Sequence, residues 1–179
     1  MATFVSESPL VESQPAKACY GPFRAHLKAR ATAIVITCID PRFIAATWNF
    51  VTGTLGLNAG EFIFLPNPGG GLHFYPEANN GIERAHLYDV IRFSFSEFPH
   101  IDRVIVISHE QCLAYARTAA HHGEAFCPKE TAIEDLQVRH LAEIPSGKSP
   151  RVIPRDARVD MFYLRVIDEI REEVVFQEI

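Results

Sequence analysis

Three residues in this chain have the types and the spacing to hold a metal ion. Cys38 ends the apolar run Thr32 to Cys38 (TAIVITC), and His109 and Cys112 form a His-x-x-Cys pair within SHEQC, from Ser108 to Cys112. Two thiolates and an imidazole are a donor set that favours Zn²⁺. Three protein ligands leave a fourth position open, which separates a catalytic zinc from a closed structural one. The three-residue step from His109 to Cys112 spans one turn at a strand-to-helix junction, so a single loop can supply two ligands. Taken alone, a cysteine at the end of a buried strand is usually a small core residue, and a lone His-x-x-Cys is a weak signal. The weight lies in the coincidence: Cys38 and the pair each stand at the carboxyl end of an apolar run.

Those runs are the elements that must position the ligands. Thr32 to Cys38 and Arg103 to Ile107 (RVIVI) are short, continuous and β-branched, as strands buried on both faces are. Glu61 to Leu65 (EFIFL), between Gly60 and the breaker run Pro66 to Gly71 (PNPGGG), is a third. Asn80 to Phe95 carries a helical apolar stripe that Asn79 or Asn80 could cap. Leu113 to His121 and Thr131 to Leu141 also read as helices, the second with Thr131 and Glu134 as a capping box. Later in the chain Arg151 to Ile153 and Met161 to Val166 read as strands, and Ile167 to Gln177 as a helix. Buried strands alternating with helices predict an α/β fold, a mostly parallel central sheet of about four to five strands flanked by helices. In such sheets ligands gather at the carboxyl ends of the strands, where Cys38 and His109 lie.

Composition sets the outer limits. The 179 residues suit one α/β domain over 31–179, preceded by an N-terminal arm over 1–30 that is helical or partly extended. A net charge of −5 argues against nucleic acid as a partner. No apolar stretch approaches the ~18 residues of a membrane span, and the N-terminus lacks a secretory pattern. Four cysteines without a secretory context read as reduced thiols in a cytoplasmic setting.

The residues also resemble a family. Cys38-Ile39-Asp40-Pro41-Arg42 is similar to the Cys-x-Asp-x-Arg motif of the β-carbonic anhydrases, and Ser108 to Cys112 to their His-x-x-Cys. Between them, Leu55 to Glu61 and Pro66 to Gly70 are similar to the family's stretch ending in Arg-Asn-Ala-Gly-Gly. Order and spacing agree over roughly residues 32 to 115, about half of the chain. The resemblance implies a β-carbonic anhydrase-like fold and a zinc lyase, reversibly hydrating CO₂ to bicarbonate through a zinc-bound hydroxide. Cys38, His109 and Cys112 would hold the zinc, which lowers the pKa of a bound water towards ~7. Asp40 would accept a hydrogen bond from the hydroxide, and Arg42 would keep Asp40 ionised and oriented. In some members the aspartate instead fills the fourth zinc position. Without the metal, Asp40 and Arg42 are an ordinary turn ion pair worth little. The resemblance further implies a homodimer or higher homo-oligomer, with pockets at a subunit interface.

Four positions depart from the family pattern. Pro66 replaces its Arg, Pro68 its Ala, Ser108 the usual Gly before the histidine, and Leu113 the small residue after the second cysteine. These touch the loops around the pocket, so zinc binding is expected to survive and substrate identity is the more open question. Hydrolysis of carbonyl sulfide or carbon disulfide, as in some relatives, is the alternative, and a catalytically silent zinc relative is another. The triple glycine Gly69 to Gly71 lacks the Lys-Ser/Thr of a phosphate loop and reads as a tight turn near the metal. His73, His121 and His122 read as surface or loop residues, although His73, just past the glycines, could line the pocket. Cys19 and Cys127 read as free thiols. Trp48 and the phenylalanines at 43, 50, 62, 64, 74, 93, 95 and 98 are expected to build core and an interface.

Overall fold

The structure, a computed structural model, describes residues 30–75, 78, 81–128, 131–144 and 152–179. Its elements in chain order are β1 (Ala33–Thr37), α1 (Pro41–Asn49), β2 (Phe62–Pro66), α2 (Gly81–Glu97), β3 (Arg103–His109), α3 (Leu113–His122), α4 (Ile133–Glu143), β4 (Arg158–Asp168) and β5 (Glu173–Glu178). A π-helical turn, Phe50–Thr54, continues α1, and a 3₁₀ turn, Gly70–Phe74, follows β2. The five strands form one sheet in the order β2-β1-β3-β4-β5. β1 to β4 pair in parallel and β5 runs antiparallel to β4.

The β-branched runs sit at the centre of the sheet because they are apolar on both faces. Every residue of β1 is buried. Alternation then sorts the side chains. Ile34, Ile36, Val104, Val106, Met161 and Tyr163 point to one face, where Leu87, Tyr88 and Ile91 of α2 and Leu141 of α4 cover them. Val35, Ile105, Ile107 and Phe162 point to the other, against Phe50, Val51, Leu55 and Leu57 in the segment after α1. Phe176 of β5 closes that layer by stacking on Phe50 at a centroid distance of 4.0 Å. A third cluster, with Leu72, Tyr115, Phe126 and Leu136 around Cys38 and Cys112, lies at the carboxyl ends of the strands.

Several expectations need correction. Ile167 to Gln177 is not a helix: β4 runs on to Asp168, a tight turn follows, and β5 returns. The run Arg171-Glu172-Glu173 favours helix by composition, but Val174 and Phe176 alternate inward with period two. Asp168 Oδ1 accepts the N–H groups of Ile170 and Arg171, which closes the turn instead. Val152 and Ile153 lie outside any strand, although Val152 is buried in the core; Arg151 is outside the described residues. Thr131 does not cap α4, whose N-cap is Ala132 without a side-chain cap. α1 went unpredicted, though Asp40-Pro41 is a helix start in itself, an N-cap followed by proline at the first position. Of the aromatics, Phe43, Phe62 and Phe74 are buried while Phe93, Phe98 and Trp48 are exposed. Residues 1–29 of the arm, Cys19 among them, and the Asn79 or Asn80 cap lie outside the described residues.

Candidate metal centre

β1 and β3 are parallel neighbours with Thr37 opposite Ile107, so Cys38 leaves the sheet beside the end of β3. Cys112 is the N-cap of α3. The ligand atoms of Cys38, His109 and Cys112 all lie within 4.8 Å of one another, and all three residues are buried. The two sulfurs are 3.9 Å apart. His109 Nδ1 is 2.7 Å from the carbonyl oxygen of Glu110; since a carbonyl only accepts, Nδ1 carries the proton. Nε2 is therefore the lone-pair nitrogen. It is buried without an oxygen or nitrogen partner and stands beside the two sulfurs. A lone-pair imidazole nitrogen converging with two cysteine sulfurs fits a metal ion.

The electrostatics agree. Cys112 sharing its proton with Cys38, helped by His109, holds the Cys38 thiol well below its ordinary range despite burial. The same sharing, with burial, pushes Cys112 up. One sulfur is thus poised as a thiolate, the form in which cysteine binds metals.

The loop carrying the ligands is braced by neighbours that sequence reasoning did not single out. Glu110 N–H donates to Leu164 C=O at 2.9 Å, and its carboxylate accepts the Val166 N–H at 2.9 Å. Gln111 adopts φ +58°, a left-handed conformation costly for a side chain other than Gly, Asn or Asp. Its amide lies between Arg42 Nη1, 3.5 Å from Oε1, and Glu169, which accepts from Nε2 at 3.1 Å. Glu110 and Gln111 lie inside the His-x-x-Cys motif, a signal in itself; Glu169, 58 residues from Gln111 in the turn between β4 and β5, carries no sequence signal.

Asp40 caps α1, with Oδ1 accepting the Arg42 N–H at 3.1 Å. Arg42 also grips the carboxylate with its side chain, Nε at 3.0 Å from Oδ1 and Nη2 at 2.7 Å from Oδ2. These bonds hold Asp40 below its usual pKa. The carboxylate is turned to Arg42, and among the described residues the ligand cluster has three members. Beside Arg42 and Gln111 opens a cavity of about 720 Å³, which Glu169 and Glu172 also line.

The triple glycine is a tight turn, as read. Gly70 has φ +57°, and a β-carbon there would lie 2.5 Å from the Ile107 carbonyl oxygen and 3.4 Å from the Cys38 nitrogen. Asn67 ties the turn down, its N–H donating to Thr37 C=O at 2.7 Å and its side chain to Gly70 C=O at 3.3 Å. His73 is not a surface residue: it stands between the buried Leu72 and Phe74 and is itself only 1 % exposed, and burial lowers its pKa. His121 is exposed and His122 half-buried. Cys127 is a free thiol donating to Thr131 C=O. The departures Pro66 and Pro68 are exposed, Ser108 is buried, and Leu113 and Ile39, each following a ligand cysteine, are exposed at 59 % and 52 %.

Fold and site together define an α/β protein with a Cys-His-Cys cluster, able to hold a metal, at the carboxyl ends of two parallel strands. The fold is that of the β-carbonic anhydrases. It aligns with the structure of the β-carbonic anhydrase CcaA at TM-score 0.53 and 17% identity, over 84% of this chain and 78% of that one. The β-carbonic anhydrase CafA of Aspergillus fumigatus aligns at TM-score 0.49 and 15% identity, over 83% and 76%. The apo form of carbon disulfide hydrolase aligns at TM-score 0.43 and 16% identity, over 82% and 78%. No protein-family model and no curated protein sequence matches the chain. Among the described residues no helix is long and apolar enough to cross a membrane.

Proposed function

We propose that this chain is a zinc lyase that interconverts CO₂ and bicarbonate. The observation that carries the reading is the convergence of His109 with the sulfurs of Cys38 and Cys112, all three ligand atoms within 4.8 Å of one another. The 3.9 Å between the sulfurs supports zinc in particular: two thiolates about 2.3 Å from a tetrahedral metal stand about 3.8 Å apart. Zinc, when bound, lowers the pKa of a water to about 7 and so makes a nucleophile available near neutrality.

The chain's own residues supply orientation. Arg42 keeps Asp40 ionised and fixes its carboxylate in one plane through paired hydrogen bonds. Asp40 then acts as the acceptor for the nucleophile's proton, which leaves a lone pair for the carbon of CO₂. While Arg42 holds it, Asp40 does not take the fourth ligand position. Homo-oligomerisation belongs to the reading and is supported by the exposed apolar groove of Pro41, Ile44 and Trp48 on α1.

Stopped-flow CO₂ hydration with a pH indicator, on zinc-loaded protein from pH 7 to 9, tests the proposal. The expected result is a rate well above buffer that rises with pH and vanishes with the metal in Cys38→Ser. Full activity in a metal-free Cys38→Ser protein would sink it. The second reading, carbonyl sulfide hydrolysis, is favoured by the exposed Leu113 beside Cys112. Sulfide release above a metal-free control, without CO₂ hydration, would select it.

A further inference from the structure

We infer that Gln137 and Tyr163 are positioning residues for the metal ligand His109, holding the His109–Glu110 peptide in one plane from behind the site. The inference rests on the metal-centre reading above. In a trans peptide the C=O of one residue and the N–H of the next point in opposite directions. The Glu110 N–H faces β4, where it bonds Leu164, so the His109 C=O faces the side from which β1 has already departed after Thr37. A buried carbonyl on that side would have no strand to bond, and a buried acceptor left unpaired is costly.

Gln137, on α4 and fully buried, fills the gap, its Nε2 donating to the His109 carbonyl at 3.1 Å. A side-chain amide can turn over and present its oxygen instead, which would set two acceptors against each other. Tyr163, also fully buried, supports the observed orientation: its hydroxyl donates to Gln137 Oε1 at 3.0 Å. The peptide is thus pinned on both edges. The Glu110 carbonyl that orients the imidazole through Nδ1 follows directly in the chain. Gln137 meets no metal-binding atom in any of these bonds; it acts through the backbone of a ligand.

Two variants test this in the full chain, Gln137→Met, which removes the amide at similar length, and Tyr163→Phe, which removes only the hydroxyl. Zinc affinity is read by chelator competition, and ligand geometry from the visible bands of the cobalt-loaded protein. Gln137→Met is expected to weaken zinc binding roughly 10- to 100-fold, the range for partners that orient metal ligands, and to shift the cobalt bands. Tyr163→Phe should move both readouts the same way by less, and should add nothing in the Gln137→Met background. Met161→Ala, a core change on the same strand, should lower stability and leave the cobalt bands in place. Wild-type affinity and bands in a folded Gln137→Met protein would overturn the inference, as would fully additive losses or the same band shift in Met161→Ala. If Gln137→Met fails to fold, Tyr163→Phe decides by the same two readouts. A wild type that takes up neither zinc nor cobalt overturns the metal centre itself, an outcome distinct from a loaded wild type and an unaffected variant.

Discussion

Replacing Gly70 by alanine should damage the metal centre from outside it, and two other glycines supply the scale. Gly53 has open space around its missing side chain and no left-handed backbone. Gly53→Ala should therefore be neutral, or stabilising by about 0.4–1 kcal/mol through the unfolded chain. Gly56 has φ +72° in open space, so Gly56→Ala isolates the left-handed penalty of about 1–2 kcal/mol. Gly70→Ala meets that penalty and a collision. Its β-carbon would stand 2.5 Å from the Ile107 oxygen, whereas carbon and oxygen ordinarily keep about 3.3 Å or more. Backbone must give way by roughly 0.8 Å, and overpacking of this kind adds about 1–3 kcal/mol. The total, about 2–5 kcal/mol, is a large part of an ordinary domain's stability. What moves is the end of β3, two residues before His109, and the amide of Cys38, so zinc affinity should fall as well. Urea unfolding of the three metal-free variants, with zinc affinity by chelator competition, reads both effects. A Gly70→Ala protein no less stable than Gly56→Ala, with wild-type zinc affinity, would refute the reasoning.

Three further outcomes are expected. Asp40→Asn should keep zinc, since Asp40 is outside the ligand cluster, and reduce turnover roughly 10- to 100-fold; metal content measured beside the stopped-flow rate checks it. Arg42→Gln should cut turnover similarly while costing at most about 1 kcal/mol of stability, because the pair is near the surface and screened. The folded-state pKa of Asp40 is lowered, so the pair's contribution is present above the unfolded carboxylate value of about 3.9. The stability gap between wild-type and Arg42→Gln protein, measured without metal, should close as pH falls through the lowered value. Zinc at 100 times its dissociation constant should stabilise the fold by about 2.7 kcal/mol, raising the Tm by roughly 5–11 °C in a chain of this size. Chelation should reverse that rise, and Cys38→Ser should abolish it; a Cys38→Ser protein with the full shift would place the zinc elsewhere.

The sheet was legible where its strands are buried on both faces, because continuous β-branched runs have few other uses. β1 and β3 are of this kind, and the cysteine and histidine at their ends announced the site. β5 was hidden: only Val174 and Phe176 face inward, and the glutamates and arginine before them read as helix until the Asp168 turn is seen. α1 is masked in the sequence because Asp40 and Arg42 fit a chemical motif as well as they fit a helix start. The braces of the ligand loop were illegible for a different reason. Glu169 and Gln137 reach the site only through tertiary packing, from a turn and a helix whose local sequence says nothing of the metal. His73 reads as a surface or loop histidine by its type, and its burial follows from its apolar neighbours Leu72 and Phe74, which are buried with it.

Zinc-edge X-ray absorption on the purified, zinc-loaded chain tests the metal centre most directly. One zinc per chain is expected, with two sulfurs at about 2.3 Å, one imidazole nitrogen at about 2.0–2.1 Å and one light non-protein ligand, and with the sulfur shell diminished in Cys38→Ser. A zinc without sulfur neighbours, or no stoichiometric zinc at all, would contradict the assignment of Cys38, His109 and Cys112.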